Sequence, residues 1–489
     1  KYMTNVHFIG SSATLVNAQE FFENICSLPK DSSEYVSSII GRERDVHRFF
    51  IMPNNQRAMM QKTSVTCFLE QPDHNNKNEK SRQLIFSNTH NDAEILSRII
   101  KKSSKQKMKI KVHRGGLLQG KRTDAELELK YGDIDAISCT PTLELGIDIG
   151  AIDVAISAFT SKHDSFIQRS GRAGRNGKKS YTFCVFDPND AGCYYYSKNI
   201  DDYIKQEHKI EISTDNPIIS SKHREAEKVE MDCQRGGKDY FNKRKYMSNG
   251  ELVLPETGKM SLRGSTGKVF IHYNDKKIGE RGVPVAYYQL HKNALYLMDS
   301  ELYEVDLLKR EGESVKAYLK KSVEENQATK PIVLVRLTKP LTSSNDREYG
   351  KISLFRIITG YYKGTAGTNV MEWDRHDFDE DKDGKNFNWS SDHMAVKIIV
   401  PSRFATVTGT EDPRIHTIIH VLANAAKIVT KCEAVDIDAI YDSGSIYLYD
   451  NTNDGVNGVS QMIYENYEKV LETSRKLLDD CDCDKRKNP

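Results

Sequence analysis

The chain has 489 residues, of which 38% are hydrophobic and 29% charged, and its formal net charge is +2 at pH 7. That length exceeds a single core and predicts about three domains, while the composition excludes a mainly disordered chain. No stretch nears the roughly 20 apolar residues of a membrane span, the start is no secretory signal, and nine mostly scattered cysteines favour a reducing, cytoplasmic setting over a disulfide framework.

In chain order, "NVHFIGSSATLVNAQEFFENI" reads as a strand, a Ser/Thr turn and an amphipathic helix. The chain opens without Met on this strand-like run, which predicts a fragment. A polar loop, "LEQPDHNNKNEKSRQ", leads into regular alternation. "QLIFSNT" is a buried strand, "HNDAEILSRIIKK" a helix, "KMKIKVHRGG" a strand and "KRTDAELELKYGD" a helix. "IDAISCT" and "IDVAISAF" are strands, "HDSFIQRSGRAG" follows, and "SYTFCVFD" is the last strand. Such alternation predicts an α/β fold with a doubly wound parallel sheet.

Beyond residue 215 the pattern changes. "GKVFIHYNDKKIGERG" and "NALYLMDSELYEVDLL" are short alternating strands with Gly and Asn-Asp turns, as in a small barrel or sandwich. A mixed segment runs from about 330 to 410. "PRIHTIIHVLANAAKIVT" and "VSQMIYENYEKVLETSRKLLDD" are helical, with "GSIYLYDN" as a strand between them.

Four turns of the parallel sheet fall at its carboxyl edge, where ligands bind. They are "SNT" after the first buried strand, "HRGG", "TPTLELGID" and, one strand later, "QRSGRAGR". Backbone N–H groups and hydroxyls there can hold phosphates, and arginine can stabilise charge on a transferring phosphoryl group. From Arg98 to Arg122 the chain carries no acid, and this basic run flanks the "HRGG" turn.

The order and spacing of these turns resemble the second RecA-like domain of superfamily 2 helicases. "SSATL" resembles motif III at the end of a first RecA-like domain, with Ser12 and Thr14 in coupling roles. "FSNT" resembles motif IV, "TPTLELGID" motif V and "QRSGRAGR" motif VI. The resemblance implies that Arg175 is an arginine finger on the γ-phosphate of ATP, Arg172 its companion and Gln168 a positioner of the loop. Gly146 and Asp148 would approach the nucleotide, and Thr89, His113, Arg114, Gly115 and Thr140 would lie on a nucleic-acid strand, gripped through its phosphates. ATP with Mg2+ sits between two such domains in this family. No GxxxxGK[ST] loop and no DExH box occurs in the chain, so that half of the motor is expected elsewhere.

The rest narrows the resemblance to the MrfA (YprA) group of DNA helicases, related to the RecQ-like and Lhr-like enzymes. The expected divisions are 1–55, the end of a first RecA-like domain with a linker; 56–215, the second RecA-like domain; 216–330, a small barrel-like β domain; and 331–489, an α+β module resembling a zinc-binding helicase-associated domain. Cys481 and Cys483 match the first pair of that module's cysteines and make Zn2+ a candidate cofactor. Two thiolates fall short of the four ligands a structural zinc site takes, and Cys432 reads as a buried, unliganded thiol.

Three decoys are set aside. "GSTGKV" lacks the full phosphate-loop pattern, "DEDKDG" from Asp379 lacks the twelfth-position glutamate of a calcium loop, and "HTIIH" reads as a packed helix face carrying His416 and His420. The expected function is an ATP-dependent helicase or translocase on DNA that is single-stranded or carries a single-stranded tail, in repair or anti-phage defence, with a possible protein partner and no membrane role. The rival from another class is a non-catalytic helicase-like scaffold that binds DNA or protein.

Overall fold

The computed structural model describes residues 7–12, 15–36, 45–53, 81–103, 108–144, 149–159, 162–174, 179–187, 190–205, 216–221, 223–224, 245–246, 252–253, 267–311, 314–324, 326–342, 346–365, 372–378, 388–401, 413–433, 435–452 and 457–479. They fall into two compact units, Lys1–Arg114 with Asp124–Asp215, and Gly115–Thr123 with Asn216–Pro489.

The first unit contains α1 (Ala18–Ile25), β1 (Val46–Ile51), β2 (Gln83–Phe86), α2 (His90–Ser103), β3 (Ile110–His113), α3 (Gln119–Tyr131, whose first turn belongs to the second unit), β4 (Ala136–Cys139), β5 (Val154–Ala158), α4 (His163–Ser170), β6 (Ser180–Val185), α5 (Ala191–Lys198) and α6 (Ile200–Ile204). Its six strands form one sheet in the order β1-β6-β5-β2-β4-β3, parallel throughout. Every residue of β2, β4 and β5 is buried, the mark of strands covered on both faces. Ile85 points to one layer, with Leu96 and Ile100 of α2; Leu84 and Phe86 point to the other, with Ala125 and Leu129 of α3. The expected RecA-like parallel sheet is therefore present.

One element differs from the sequence reading. Val46–Ile51, placed there before the domain, is the sheet's edge strand, and Phe49 stacks on Phe183 at 4.9 Å. An edge strand is half solvated, so "VHRFFI" carries His and Arg and lacks the continuous apolar run of its neighbours.

The second unit holds a short hairpin, β7 (Lys245–Tyr246) and β8 (Leu252–Val253), and two larger sheets. The first comprises β9 (Lys268–Tyr273), β10 (Lys276–Gly282), β11 (Leu295–Met298), β12 (Glu301–Glu311) and β13 (Ser314–Lys321), ordered β10-β9-β13-β12-β11, with α7 (Val285–Gln289) after β10. The segment read as mixed is an antiparallel run of three long strands, β14 (Gln327–Lys339), β15 (Arg347–Thr365) and β17 (Asn388–Ile399), with the short β16 (Asp374–Asp377) paired to β15. β18 (Ile437–Asp442) and β19 (Ser445–Asp450) complete that sheet. The helices α8 (Pro413–Thr430), α9 (Val459–Glu465) and α10 (Tyr467–Asp479) cover it through Ile415, Leu422, Ile463 and Val470. Among the described residues no helix is long and apolar enough to cross a membrane.

Candidate nucleotide and strand-binding edge

The carboxyl ends of the parallel strands are laced together. The Thr140 N–H donates to the His113 carbonyl at 3.2 Å, and the Ser87 N–H to the Cys139 carbonyl at 2.8 Å. Asn88 Nδ2 donates to the Phe159 carbonyl at 3.0 Å. The Phe159 N–H continues to Val185 at 2.7 Å and the Phe186 N–H to Ile51 at 2.9 Å. Phe159 has φ +62°, a conformation that a bulky side chain adopts only under compulsion. Bonds on both sides of its peptide supply that compulsion.

Arg169 is the hub of this edge and escaped the sequence reading. It is 1% exposed. Its Nε meets Glu144 Oε1 at 3.2 Å, and Nη2 donates to Asn88 Oδ1 at 3.1 Å. The guanidinium also lies 5.6 Å over the Phe86 ring. One side chain therefore joins the "SNT", "TPTLE" and "QRSG" turns. Nη1 remains without a hydrogen-bond partner, as do Ser87 Oγ and Ser170 Oγ, so the edge has buried polar capacity to spare. The sequence carries no local signal for this hub: its two members stand 25 positions apart, and Arg169 is one of three arginines in "QRSGRAGR".

Several predicted strand contacts turn out to have internal duties. His113 is 2% exposed; Nε2 meets Glu126 Oε1 at 2.7 Å and Nδ1 meets Thr142 Oγ1 at 2.9 Å. Arg114 is buried against Glu94, Nε to Oε1 2.7 Å, so its guanidinium is spent within the fold. Thr89 caps α2: Oγ1 accepts from the Asp92 N–H at 3.1 Å and donates to Asp92 Oδ2 at 2.7 Å. Thr140 is buried, and its carbonyl accepts from Thr142 Oγ1 at 3.3 Å. Gly115 lies in the second unit; beside it the Gly116 carbonyl accepts from the Glu280 N–H at 3.0 Å.

The Gly-Arg stretch is a built structure as far as Gly174. Gln168 lies on α4, whose last turn continues through Gly171 N–H to Ile167 and Arg172 N–H to Arg169. Ala173 forms a parallel bridge with Ile152, and the Gly174 N–H reaches the Ile152 carbonyl at 3.0 Å. Gly174 takes φ +71°, which glycine adopts without penalty. Arg175 itself lies outside the described residues, as do Thr14, Gly146, Asp148, Cys481, Cys483, "DEDKDG" and the start of "GSTGKV". Ser12 is exposed.

Among the described residues no group of three or more His, Cys, Asp or Glu could hold a metal. Burial pushes the Cys432 thiol up to about 12, so it is a poor thiolate ligand and packs among apolar residues, as expected. His416 and His420 correct the packed-face expectation. Both are exposed on α8, with their Nε2 atoms 3.1 Å apart, because they fall to one side of the buried stripe of Ile415, Ile419 and Leu422.

Residues 61–177 match the helicase conserved C-terminal domain, and residues 418–486 the MrfA Zn-binding domain. The uncharacterized ATP-dependent helicase YprA of Bacillus subtilis is 23% identical across 99% of this chain and 68% of its own length. The ATP-dependent helicase hrq1 of Schizosaccharomyces pombe is 20% identical across 83% of this chain and 42% of its own length. The crystal structure of the DUF1998 helicase MrfA bound to DNA superposes with a TM-score of 0.65 at 19% identity, covering 96% of this chain and 67% of that one. The chain thus spans about two thirds of YprA and MrfA and less than half of hrq1. These matches relate it to the superfamily 2 helicases of the MrfA and YprA group.

Proposed function

From that kinship we propose that the chain supplies the second RecA-like lobe and the accessory domains of an ATP-dependent DNA helicase or translocase serving repair or anti-phage defence. The observation that supports this most is Arg169, which clamps Asn88 and Glu144 so that three motif turns act as one body. The divisions that fit the reading are a lobe over 56–215 joined by β1, a β domain over 216–330 and a zinc-type module over 331–489.

In this reading the hub holds the loop and does not itself touch nucleotide. Arg172 and Arg175 reach the γ-phosphate, Gln168 sets the loop, and Gly146 and Asp148 close on the nucleotide. An arginine finger of this kind contributes roughly 10³–10⁵ to phosphoryl-transfer rates. ATP and its Mg2+ are held mainly by the partner lobe with the phosphate loop, a motif not found in these 489 residues. Strand phosphates lie against Thr89, Thr140 and the backbone at Arg114 and Gly115, with His113 buttressing that turn. Ser12 and Thr14 couple the lobes. Such contacts bind without regard to sequence and weaken with salt. Cys481 and Cys483 contribute two thiolates to the Zn2+ module.

The test is ATP hydrolysis by the complete motor with and without single-stranded DNA, together with unwinding of tailed duplexes. Stimulation by the strand is expected. Turnover indifferent to DNA, with binding intact, would favour a scaffold instead.

A further inference from the structure

The turn after β3 is divided within the chain. His113 and Arg114 fold with the first unit, whereas Gly115–Thr123 fold with the second. The helicase reading makes no use of that division. The contacts responsible lie within the second unit, on β10 and on the hairpin that joins β11 to β12.

β10 is the terminal strand of its sheet and pairs with β9 along one edge. Along the other edge Leu117 forms an antiparallel bridge with Gly279, and the Glu280 N–H donates to the Gly116 carbonyl at 3.0 Å. The turn thus adds itself to the sheet edge, and Leu117 is only 5% exposed. Two glycines permit so close an approach. Gly116 takes φ +85°, and Gly279 has no Cβ where one would stand 2.6 Å from the Gly116 oxygen. The register of β10 also shifts between Lys277 and Gly279, a bulge of the kind that re-aims an edge strand.

A second tie lies a few residues on. Lys121 Nζ, in the first turn of α3, meets Asp299 Oδ2 at 2.6 Å. Asp299 and Ser300, with φ +56° and +65°, form the two-residue turn between β11 and β12, which mounts the carboxylate on a fixed corner. An exposed ion pair adds little stability alone; beside a backbone dock it fixes orientation.

We infer that Gly279, the backbone of Glu280, and Asp299 are positioning residues for strand binding: the β10 edge holds the backbone of Gly115 and Gly116 in place for the strand. The inference rests on the helicase reading and deepens it, because the β domain then shares in the grip without touching the strand.

ATP hydrolysis by the complete motor, titrated with single-stranded oligodeoxythymidylate, tests it. Gly279→Ala should raise the strand concentration for half-maximal turnover about tenfold, the worth of one hydrogen bond to a charged group, and leave kcat unchanged. Tryptophan fluorescence checks that this variant is folded at the assay temperature. Asp299→Asn carries the test if it is not, because asparagine tolerates the left-handed turn. Loss of an acid would by itself tighten binding of a polyanion, whereas the positioning role predicts binding weaker by about two- to fivefold. Lys121→Gln with Asp299→Asn should bind no more weakly than Lys121→Gln alone, the coupling expected of one pair. Strand affinity equal to the parent or tighter in Asp299→Asn overturns the inference. So does a folded Gly279→Ala protein that loses kcat with strand affinity unchanged. Failure of the helicase reading is distinct: the unmodified motor would then show no strand-stimulated turnover.

Discussion

Arg169 and Glu144 form an ion pair at the carboxyl edge of the parallel sheet, Nε to Oε1 3.2 Å, with their side chains 1% and 9% exposed. Removing one member of such a pair strands the other charge in a dry setting, a cost of about 3–5 kcal/mol. Arg169→Ala should therefore lower the stability of the first unit by that order in a urea titration followed by circular dichroism.

Thr89 is a helix cap as well as a candidate strand contact. Thr89→Ala removes the acceptor for the Asp92 N–H and should cost about 1 kcal/mol, whereas Thr89→Ser should retain stability. Thr89→Asn keeps a capping oxygen but removes the hydroxyl, so strand affinity measured on it separates the two roles. Affinity lower than the parent in the asparagine variant assigns Thr89 to the strand, and affinity equal to the parent leaves it a cap alone.

The alternation of strands and helices in the first unit was legible because strands covered on both faces are apolar at every position, as in "QLIF" and "VAISA". The turns were legible because Gly, Thr, Asn and Arg punctuate the ends of the buried strands. Arg169 was hidden for the opposite reason. A buried ion pair joins residues far apart in sequence, and nothing local distinguishes Arg169 from Arg172 three positions on. His113 and Arg114 show the same limit: their types suggest a strand contact, while Glu126 and Glu94, which occupy them, are set by the fold. β1 was hidden too, because an edge strand lacks the pattern that betrays its neighbours.

Gly279 packs against the glycine turn. A Cβ there would stand 2.6 Å from the Gly116 carbonyl oxygen and would run into the Met298 methyl. Gly279→Ala should destabilise the second unit by about 1–3 kcal/mol, as overpacking does. Both tryptophans, Trp373 and Trp389, lie in that unit, so intrinsic fluorescence during denaturation reports it selectively.

Two buried groups give that unit opposing pH dependences. Burial pushes the Asp450 carboxyl from its ordinary 3.8 up to about 6, although the N–H groups of Asn457, Gly458 and Ser460 all donate to it. Burial pushes His291 from 6.5 down to about 4. An acid raised on folding contributes fully below 3.8, and that contribution is lost as pH rises through about 6. A base lowered on folding contributes fully above 6.5, and its contribution is lost as pH falls through about 4. Their slopes oppose each other between these limits, so Trp-monitored stability should vary little there on their account. Asp450→Asn should unmask stability that rises with pH, and His291→Phe stability that falls with pH, each by at most about 1.4 kcal/mol per unit.

The central claim is that the Gly-Arg turn carries a finger for ATP set by a buried hub. Its most direct test is steady-state ATP hydrolysis by the complete motor at saturating single-stranded DNA, comparing the parent with Arg175→Ala and measuring strand affinity alongside. The account predicts turnover reduced by about 10³ or more with strand affinity nearly intact. Unchanged turnover in the Arg175→Ala protein would contradict it.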